Sequence, residues 1–279
     1  MAQHTENAAA KAGSYTLGHS SAVLSSHMSR TASNSASYLI EHVKPDSKIL
    51  DVGCGPGTIT CDFAAIASSG NVIGLDFSAD VISKAQEAAS SGKLSNLTFQ
   101  TGDAQELPFG DGSFDIVHAH MTLLHLPKPQ QALKEMRRVC KPGGIVAIRE
   151  CDWDTQLIYP DSEPLRKWRH VQREVPRSQG ADPNAGRLLS TWATAAGYDR
   201  AKIEVSTSTM CYAQEDQRKW WGEMHASRLL DKGGNRNKMI DQGFATETEL
   251  DEMVEAWRTW SRDEHGIFAL LTVQILCWK

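Results

Sequence analysis

The sequence K-I-L-D-V-G-C-G-P-G-T, from Lys48 to Thr58, is the most informative stretch of the chain. Its apolar, partly β-branched start is typical of a strand buried on both faces. The glycines Gly53, Gly55 and Gly57 follow, and so little side chain lets the backbone approach a ligand closely. The apolar residues from Thr58 to Ala67 predict a helix. Strand, glycine loop and helix together predict the ligand-binding corner of a doubly wound α/β sheet, although a tight turn without a ligand has the same pattern.

Acidic residues follow at the ends of the next two predicted strands. The first of these strands, Asn71 to Asp76, ends on an acid 21 positions after Gly55. That spacing is close to the roughly 20 expected for an acid that holds a ribose diol. The next strand, Leu97 to Gln100, leads into Asp103. The glycine pattern is G-x-G-x-G, whereas pyrophosphate binders have G-x-G-x-x-G, so the pattern counts against a nicotinamide dinucleotide.

Four motifs occur in order between Lys48 and Glu150: D-V-G-C-G-P-G-T, G-L-D-F-S, G-D-A-Q-E-L-P-F-G-D-G-S-F-D-I-V and R-V-C-K-P-G-G. This series resembles the class I S-adenosylmethionine-dependent methyltransferases. It is most similar to the group that contains ubiquinone/menaquinone-biosynthesis methyltransferases and related small-molecule enzymes. The resemblance implies a doubly wound, mostly parallel seven-stranded Rossmann-like α/β sheet with a C-terminal antiparallel hairpin and a helical cap. It also implies S-adenosyl-L-methionine as cofactor and a small-molecule methyl acceptor.

Composition narrows the class of acceptor and the compartment. The formal net charge is −5 and no basic stripe occurs, which counts against a nucleic-acid partner. The six cysteines are scattered without a C-x-x-C, as in reduced thiols of the cytoplasm. No apolar run is long enough for a membrane span. We expect a cytoplasmic monomer or homodimer that methylates an aromatic or lipid-like metabolite; a non-catalytic cofactor-binding scaffold and a protein or RNA methyltransferase are the alternatives.

The chain is predicted to form a single methyltransferase domain, residues 1–279, in three parts. By the resemblance, residues 1–45 are an N-terminal lid over the cofactor, residues 46–150 the cofactor-binding core, and residues 151–279 the cap helices and last strands. Further strands are predicted at Phe114–Val117, Ile145–Ile148, Ile203–Tyr212 and Phe268–Trp278. Helices are predicted at Ser162–Val175, Gly186–Ala196, Asp216–Leu230 and Glu247–Arg262, with a loop at Gly233–Asn237.

The resemblance places cofactor-binding residues on the glycine loop, the strand ends and the lid. They are Tyr15, Arg30, Asp51, Gly53, Cys54, Gly55, Gly57, Thr58, Asp76, Phe77, Asp103, Ala104, Ala119 and His120. Asp76 is expected to accept hydrogen bonds from both ribose hydroxyls, with Phe77 against the adenine. Asp103 is expected to accept from the adenine amino group, Asp51 to meet the α-ammonium directly or through water, and Arg30 to pair with the methionine carboxylate. The alternatives are a helix N-cap for Asp76 and a turn aspartate for Asp103.

Three histidines are candidates for taking a proton from the acceptor: His120, His125 and His19. His120 ends the fourth predicted strand, where the acceptor binds in this superfamily, and a neutral imidazole there can act as general base. His125 has a structural role as its alternative, and His19 a helix cap. The stretch H-A-H-M-T-L-L-H lacks an H-E-x-x-H pattern or a carboxylate cluster, so we expect no metal.

Four residues are candidates for binding the methyl acceptor: Tyr15, His19, Trp153 and Arg187. Trp153 can stack on an acceptor ring, and Arg187 can pair with an acidic acceptor. Packing in the core is the alternative for Tyr15 and Trp153. A surface or helix-capping role is the alternative for Arg187.

Overall fold

The structure is a computed structural model that describes residues 27–90, 94–232 and 235–279. Its centre is an eight-stranded sheet. The strands are β1 (Lys48–Val52), β2 (Asn71–Asp76), β3 (Leu97–Thr101), β4 (Phe114–His120), β5 (Cys140–Cys151), β6 (Leu157–Tyr159), β7 (Ile203–Tyr212) and β8 (Ile267–Trp278). The described α-helices are α1 (Ala32–Ser35), α2 (Ser37–Ile40), α3 (Thr58–Ile66), α4 (Ala79–Ser90), α5 (Pro129–Val139), α6 (Glu163–Ser178), α7 (Ala185–Ala195), α8 (Glu215–Leu230), α9 (Asn235–Asp241) and α10 (Glu247–Arg262).

The sheet is mostly parallel and is wound in both directions from β1. Its strand order is β3-β2-β1-β4-β5-β8, with β7 on the outer edge of β8. Strands β1 to β5 are parallel, β8 is antiparallel to β5, and β7 is antiparallel to β8. The predicted fold class and the C-terminal hairpin are confirmed. The carboxyl ends of β1, β2, β4 and β5 therefore face one space at the same edge of the sheet.

Three details differ from the sequence-based expectation. The sheet has eight strands rather than seven, because Leu157–Tyr159 pairs with the start of β8. Strand β5 continues past Ile148 to Cys151, because β8 extends the ladder alongside it. Helix α9 begins at Asn235, within the loop predicted for Gly233–Asn237. Contacts with residues outside the helix hold it in place. Buried Arg236 donates to the Leu229 carbonyl at 3.0 Å and to Asp251 Oδ1 at 2.7 Å.

Strand β1 is buried on both faces, as its apolar run predicts. Ile49 packs into the core beneath α1, α2 and α3, whereas Leu50 and Val52 pack into the larger core on the opposite face. Full burial of one such side chain stabilises the fold by roughly 1.5–3 kcal/mol. Because β1 lies at the centre of the sheet, the glycine loop at its end has a rigid support.

Helices α6, α8 and α10 form the cap, which encloses an aromatic cluster. Trp168 and Trp257 pack edge to face with ring centroids 4.6 Å apart, and buried His225 stacks on Trp257 at 4.7 Å. Trp221 packs edge-on against His225. Five of the eight tryptophans are buried. Four of these, Trp168, Trp221, Trp257 and Trp260, lie on the cap helices, so half of the tryptophans beyond Glu150 belong to the core of the cap.

Candidate functional site

The glycine loop closes over the end of β2. The Gly53 and Cys54 amides donate to the Leu75 carbonyl at 2.7 and 3.0 Å, and the Gly55 amide donates to Asp76 Oδ2 at 3.0 Å. All three loop glycines have positive φ. A Cβ on Gly53 would overlap Thr122, whereas a Cβ on Gly55 would meet only His27 Nδ1 at 3.9 Å among the described residues. Packing thus requires Gly53, and Gly55 is the glycine that faces open space.

Asp76 lies between the loop and the start of α4. Its second oxygen, Oδ1, accepts from the Ser78 amide at 3.0 Å. The hydroxyl of Ser78, not Asp76, reaches the first turn of the helix by accepting from the Val81 amide at 3.4 Å. Ser78, rather than Asp76, is therefore the N-cap residue of α4. The Asp76 carboxylate lies at the edge of the sheet beside Gly55.

Asp51 lies beneath the glycine loop rather than in front of it. The residue is only 2% exposed, and its carboxylate accepts from the Thr60 hydroxyl at 2.6 Å and contacts His118 Nδ1 at 2.7 Å. His118 lies beside Asp51 because β1 and β4 are neighbours in this register. Each carboxylate oxygen thus already has a partner within the protein, and a contact of Asp51 with the α-ammonium, directly or through water, stays a prediction.

The adenine side of the predicted site is more open. Phe77 is 53% exposed at the end of β2, and Ala104 is buried after β3. Asp103 Oδ1 accepts from the Gln105 amide at 2.8 Å, which is the turn contact that the Gly-Asp pair allows. Its other oxygen forms no hydrogen bond within the described ranges, so Asp103 can close the turn and still accept from a ligand.

Three further residues that were predicted to bind the cofactor, Thr58, Ala119 and Cys54, are in contact with other parts of the protein or buried within it. The Thr58 hydroxyl donates to the His27 carbonyl at 3.4 Å, which brings the described end of the lid to the glycine loop. Ala119 is fully buried beside Val52. Burial raises the pKa of the Cys54 thiol well above its ordinary value, so this side chain stays protonated at neutral pH.

A cavity of about 340 Å³ opens at the carboxyl ends of β4 and β5. Its walls come from the lid, the strand ends and the cap, and they bring together four of the predicted residues: Arg30, His120, His125 and Trp153. Apolar walls missed by the sequence analysis come from Met210, Tyr212, Trp221, Met224 and Leu270. Periodicity alone could not place them, because the cap residues that face the cavity and those that face the core are of the same types.

The imidazole of His120 is buried in the cavity wall, and its Nδ1 has no hydrogen-bond partner in the described structure. Burial holds its pKa well below the usual value, and the nearby charges of Arg30 and Arg149 lower it further. Burial likewise lowers the pKa of His125 to about 3. Both side chains are therefore neutral at physiological pH, and the lowered pKa also makes each of them a weaker base than an ordinary histidine. Tyr15 and His19 lie outside the described residues.

The backbone after β4 is strained next to His120. Met121 has φ of 50°, an uncommon conformation for a residue with a side chain. Buried Glu150 holds the turn, because its Oε1 accepts from the Thr122 amide at 2.9 Å and the Leu123 amide at 2.7 Å. Burial raises the pKa of Glu150 to about 8, against the effect of these amides. Strain that the surroundings hold in place is common where a functional side chain must be aimed.

Arg149 is a further cavity residue that the sequence analysis missed. It lies beside His120 in the register of β4 and β5, and its side chain reaches the cavity wall. The signal was present in the sequence, since a charged residue interrupts the apolar run I-V-A-I-R-E-C near the end of a strand that is buried on both faces.

Arg187 does not line the cavity. Its guanidinium binds Asp152 with two hydrogen bonds, one of them from Nη2 to Oδ1 at 2.6 Å, and a second carboxylate, Asp154, lies 3.4 Å away. Asp152 is buried immediately after β5. This pairing favours a structural role for Arg187 over the predicted contact with the acceptor.

Replacing Arg187 with alanine should therefore destabilise the fold and leave the acceptor KM unchanged. The change leaves the buried Asp152 carboxylate without its charged partner, which should cost about 1–3 kcal/mol of unfolding free energy. Urea unfolding measures the loss, and Arg166→Ala, at a solvent-exposed ion pair on α6, is the control. An unchanged urea midpoint together with a raised acceptor KM would return Arg187 to the acceptor site.

The described residues contain neither a group of metal-ligating side chains nor a membrane-spanning helix. Within residues 27–90, 94–232 and 235–279, no three His, Cys, Asp or Glu side chains are grouped so that they could hold a metal ion. None of the helices described in these ranges is long and apolar enough to cross a membrane.

Comparison with known proteins agrees with this geometry. Residues 43–259 match the family model described as methyltransferase domain. A methyltransferase of Schizosaccharomyces pombe is 37% identical over 272 residues, 95% of this chain and 96% of its own. A demethylmenaquinone methyltransferase of Bacillus cereus is 40% identical over 119 residues, 42% of this chain and 50% of its own. The YcgJ protein of Bacillus subtilis shares the fold, with a TM-score of 0.57 at 18% identity over 88% of this chain and 98% of its own.

The family model and the S. pombe relative each span most of the chain. The chain belongs to the methyltransferase domain family, and it is an enzyme of the class I S-adenosylmethionine-dependent methyltransferases.

Proposed function

We propose that the protein transfers the methyl group of S-adenosylmethionine to a small aromatic or lipid-like metabolite bound in the cavity at the ends of β4 and β5. The observation that carries the proposal is the cavity itself. Its volume of about 340 Å³ falls within the range of small-molecule sites, and its walls combine apolar side chains with a few polar groups. The cap covers it on the side away from the sheet, which favours a compact acceptor over a protein or RNA segment.

The described residues fit the proposed cofactor. The open space at Gly55 leaves the backbone accessible, Asp76 presents a carboxylate beside it, and Phe77 offers an exposed ring for the adenine. Arg30, on the lid side of the cavity, is the proposed partner of the methionine carboxylate. Asp51 acts indirectly in this proposal, because its bonds to Thr60 and His118 support the loop from below.

The bound cofactor supplies a methyl group on a positively charged sulfur, which is already an activated leaving group. The protein then has to align the acceptor atom in line with the methyl group and exclude water. The ends of β4 and β5 form one side of the cavity, and Tyr212 at the end of β7 forms the other together with the cap residues Trp221 and Met224. His120, neutral and buried beside this space, accepts the proton of an acceptor hydroxyl, thiol or amine.

Calorimetric titration should show micromolar binding of S-adenosylmethionine and S-adenosylhomocysteine, and no binding of NADH. The reason is that the loop has the G-x-G-x-G pattern and a strand-end acid but no pyrophosphate fingerprint. Heat with NADH and none with either sulfur compound would overturn the cofactor assignment.

The acceptor class is tested separately with methyl-labelled cofactor and a metabolite extract. Label should enter small organic products, whose masses then identify the acceptor. Label that enters only the protein or RNA fraction would contradict the proposed small-molecule acceptor, and cofactor binding without any turnover would favour a non-catalytic binding protein.

A further inference from the structure

Arg149 is a buried guanidinium without a counter-ion in the described structure. The residue is only 4% exposed. Its Nε donates to the Thr272 hydroxyl at 3.0 Å and its Nη1 donates to the Asn34 carbonyl at 2.6 Å, and both partners are neutral. Two other arginines in the described residues are buried: Arg236 on α9 has a carboxylate at 2.7 Å, and Arg218 on α8 donates to the Ala213 carbonyl. The half-exposed Arg187 has two carboxylates. Arg149 differs from all three because it lines the cavity.

Among the described residues, the cavity wall carries no acidic side chain beside Arg149. None of its described lining residues is Asp or Glu, whereas Arg30, Arg149 and Arg228 all line it. The neighbouring acid in the chain, Glu150, points to the opposite face of the strand, where its Oε1 accepts from the Thr122 and Leu123 amides and its Oε2 is buried without a hydrogen-bond partner in the described structure. The three arginines act on the same side chain: burial raises the pKa of Tyr212 to about 12, and each arginine opposes that rise.

The position of Arg149 points to the acceptor rather than to the cofactor. It lies near the end of β5, and β4 separates this strand from β1, which carries the glycine loop. Two strand spacings place β5 about 10 Å from β1. Arg30, by contrast, lies on the lid segment whose residue His27 contacts Thr58 next to the loop. The methionine carboxylate therefore has a candidate partner of its own.

A buried charge is costly unless an opposite charge compensates for it, and a guanidinium binds a carboxylate with a pair of parallel hydrogen bonds. The cavity wall also has polar side chains such as Asn34, Gln172 and Gln217, and a separate part of it is apolar and aromatic. Building on the proposed function, we infer that the methyl acceptor is an aromatic or apolar carboxylic acid, whose carboxylate is bound by Arg149 and whose apolar body packs against Tyr212, Trp221 and Met224. Arg228 adds positive charge at the cap side of the same cavity.

The experiment uses matched acids and primary amides, which have nearly the same shape and differ in charge. The probes are benzoic, 1-hydroxy-2-naphthoic and octanoic acid with their amides, titrated into the full-length protein saturated with S-adenosylhomocysteine. For at least one skeleton the wild-type protein should bind the acid tenfold or more tightly than the amide, as expected for a charge-assisted pair. Equal affinities, or no binding of any acid, would overturn the inference.

Three variants locate the charge that gives the preference. Arg149→Met should reduce the acid-over-amide preference by about tenfold or more and leave the amide affinity within about threefold. Arg149→Lys should keep part of the preference, because it keeps the charge and loses the planar fork. Arg258→Met, at a surface ion pair on α10, is the control and should change neither affinity. An undiminished preference in both Arg149 variants would contradict the role of Arg149.

Folding and cofactor binding are measured on each variant before the probes are added. S-adenosylhomocysteine affinity should stay unchanged in Arg149→Met, which also shows that the variant is folded. If Arg149→Met does not fold, Arg149→Lys and Arg228→Met carry the test, and each should lower the preference. Loss of cofactor binding in the wild-type protein would count against the proposed function, whereas intact cofactor binding with equal acid and amide affinities counts against the carboxylate inference alone.

Discussion

Replacing His120 with alanine should lower turnover by roughly 10²–10⁴ and leave S-adenosylmethionine affinity within about twofold. The imidazole lies in the cavity wall at the end of β4, with its Nδ1 free of hydrogen bonds in the described structure. It is thus placed to take the proton of the acceptor, and it is separated from the ribose and adenine positions at β2 and β3. Single-turnover kinetics with the identified acceptor measure the chemical step directly.

The controls separate base catalysis from packing. His265→Ala, at an exposed site just before β8, should leave turnover unchanged. His125→Ala and His19→Ala test the two other candidate bases. If His120→Ala raises the acceptor KM and leaves the single-turnover rate unchanged, the protein acts only by aligning the acceptor with the methyl group. The imidazole then contributes to binding the acceptor and takes no proton.

The pH dependence of turnover has a definite sign. Because burial and neighbouring arginines depress the pKa of His120 well below its usual value, the imidazole remains neutral from neutral pH down through its ordinary titration range. Turnover should therefore be flat across neutral pH and fall only in more acidic solution. A fall centred near the ordinary histidine pKa of about 6.5 would show that a solvent-accessible histidine, not His120, carries the proton.

Stability should also fall in acid. Buried His120, His125 and His225 all have pKa values below the ordinary value, so the unfolded chain binds more protons than the folded chain below about pH 6.5. Their contribution to stability is present above that pH and is lost as the pH falls. Urea unfolding at a series of pH values measures how the free energy of unfolding changes with pH. A smaller change in His225→Phe than in the wild type would assign part of the pH dependence to the cap.

Replacing Asp76 with alanine should weaken binding of S-adenosylhomocysteine by about 2–4 kcal/mol, because two charge-assisted hydrogen bonds to the ribose are lost. The carboxylate lies at the end of β2 beside the open face of Gly55. The fold should lose less, since only the contacts to the Gly55 and Ser78 amides disappear, and both groups are near solvent. Titration calorimetry and urea unfolding on the same preparation compare the two losses.

Two variants sharpen the Asp76 test. Asp76→Asn keeps one acceptor oxygen and should fall between the wild type and alanine in affinity. Asp80→Asn, in the first turn of α4, is the matched control and should leave the affinity unchanged. A dissociation constant that does not change in Asp76→Ala would show that the carboxylate serves only to tie the glycine loop to α4.

Much of the cofactor half of the site was predictable because it is encoded locally. A strand, a glycine loop and a helix follow each other directly, and the acids end the next strands, so parallel pairing alone brings Gly55 and Asp76 together. Asp51 was harder to interpret. Its motif position is compatible with a ligand contact, and only the register of β1 with β4 shows that His118 contacts it.

The acceptor half depends on contacts between residues that are far apart in the chain. The buried position of Arg149 depends on β8 and on the lid, since its partners Thr272 and Asn34 are separated from it by more than a hundred residues. The sequence makes Arg187 a candidate for binding a ligand, whereas the fold pairs it with Asp152. Likewise, the tryptophans divide between the cap core and the cavity wall only when helices α6, α8 and α10 pack together.

The sequence by itself determined the fold class, the glycine loop and the order of the strand-end acids, because these follow from short-range patterns of burial and backbone freedom. Only the tertiary structure decided which polar groups face the cavity and which are already paired. The physical reason is that a charged or aromatic side chain has the same chemistry in either place. Its role is set by the partners that long-range packing brings to it, and for Arg149 these partners leave a positive charge facing the cavity.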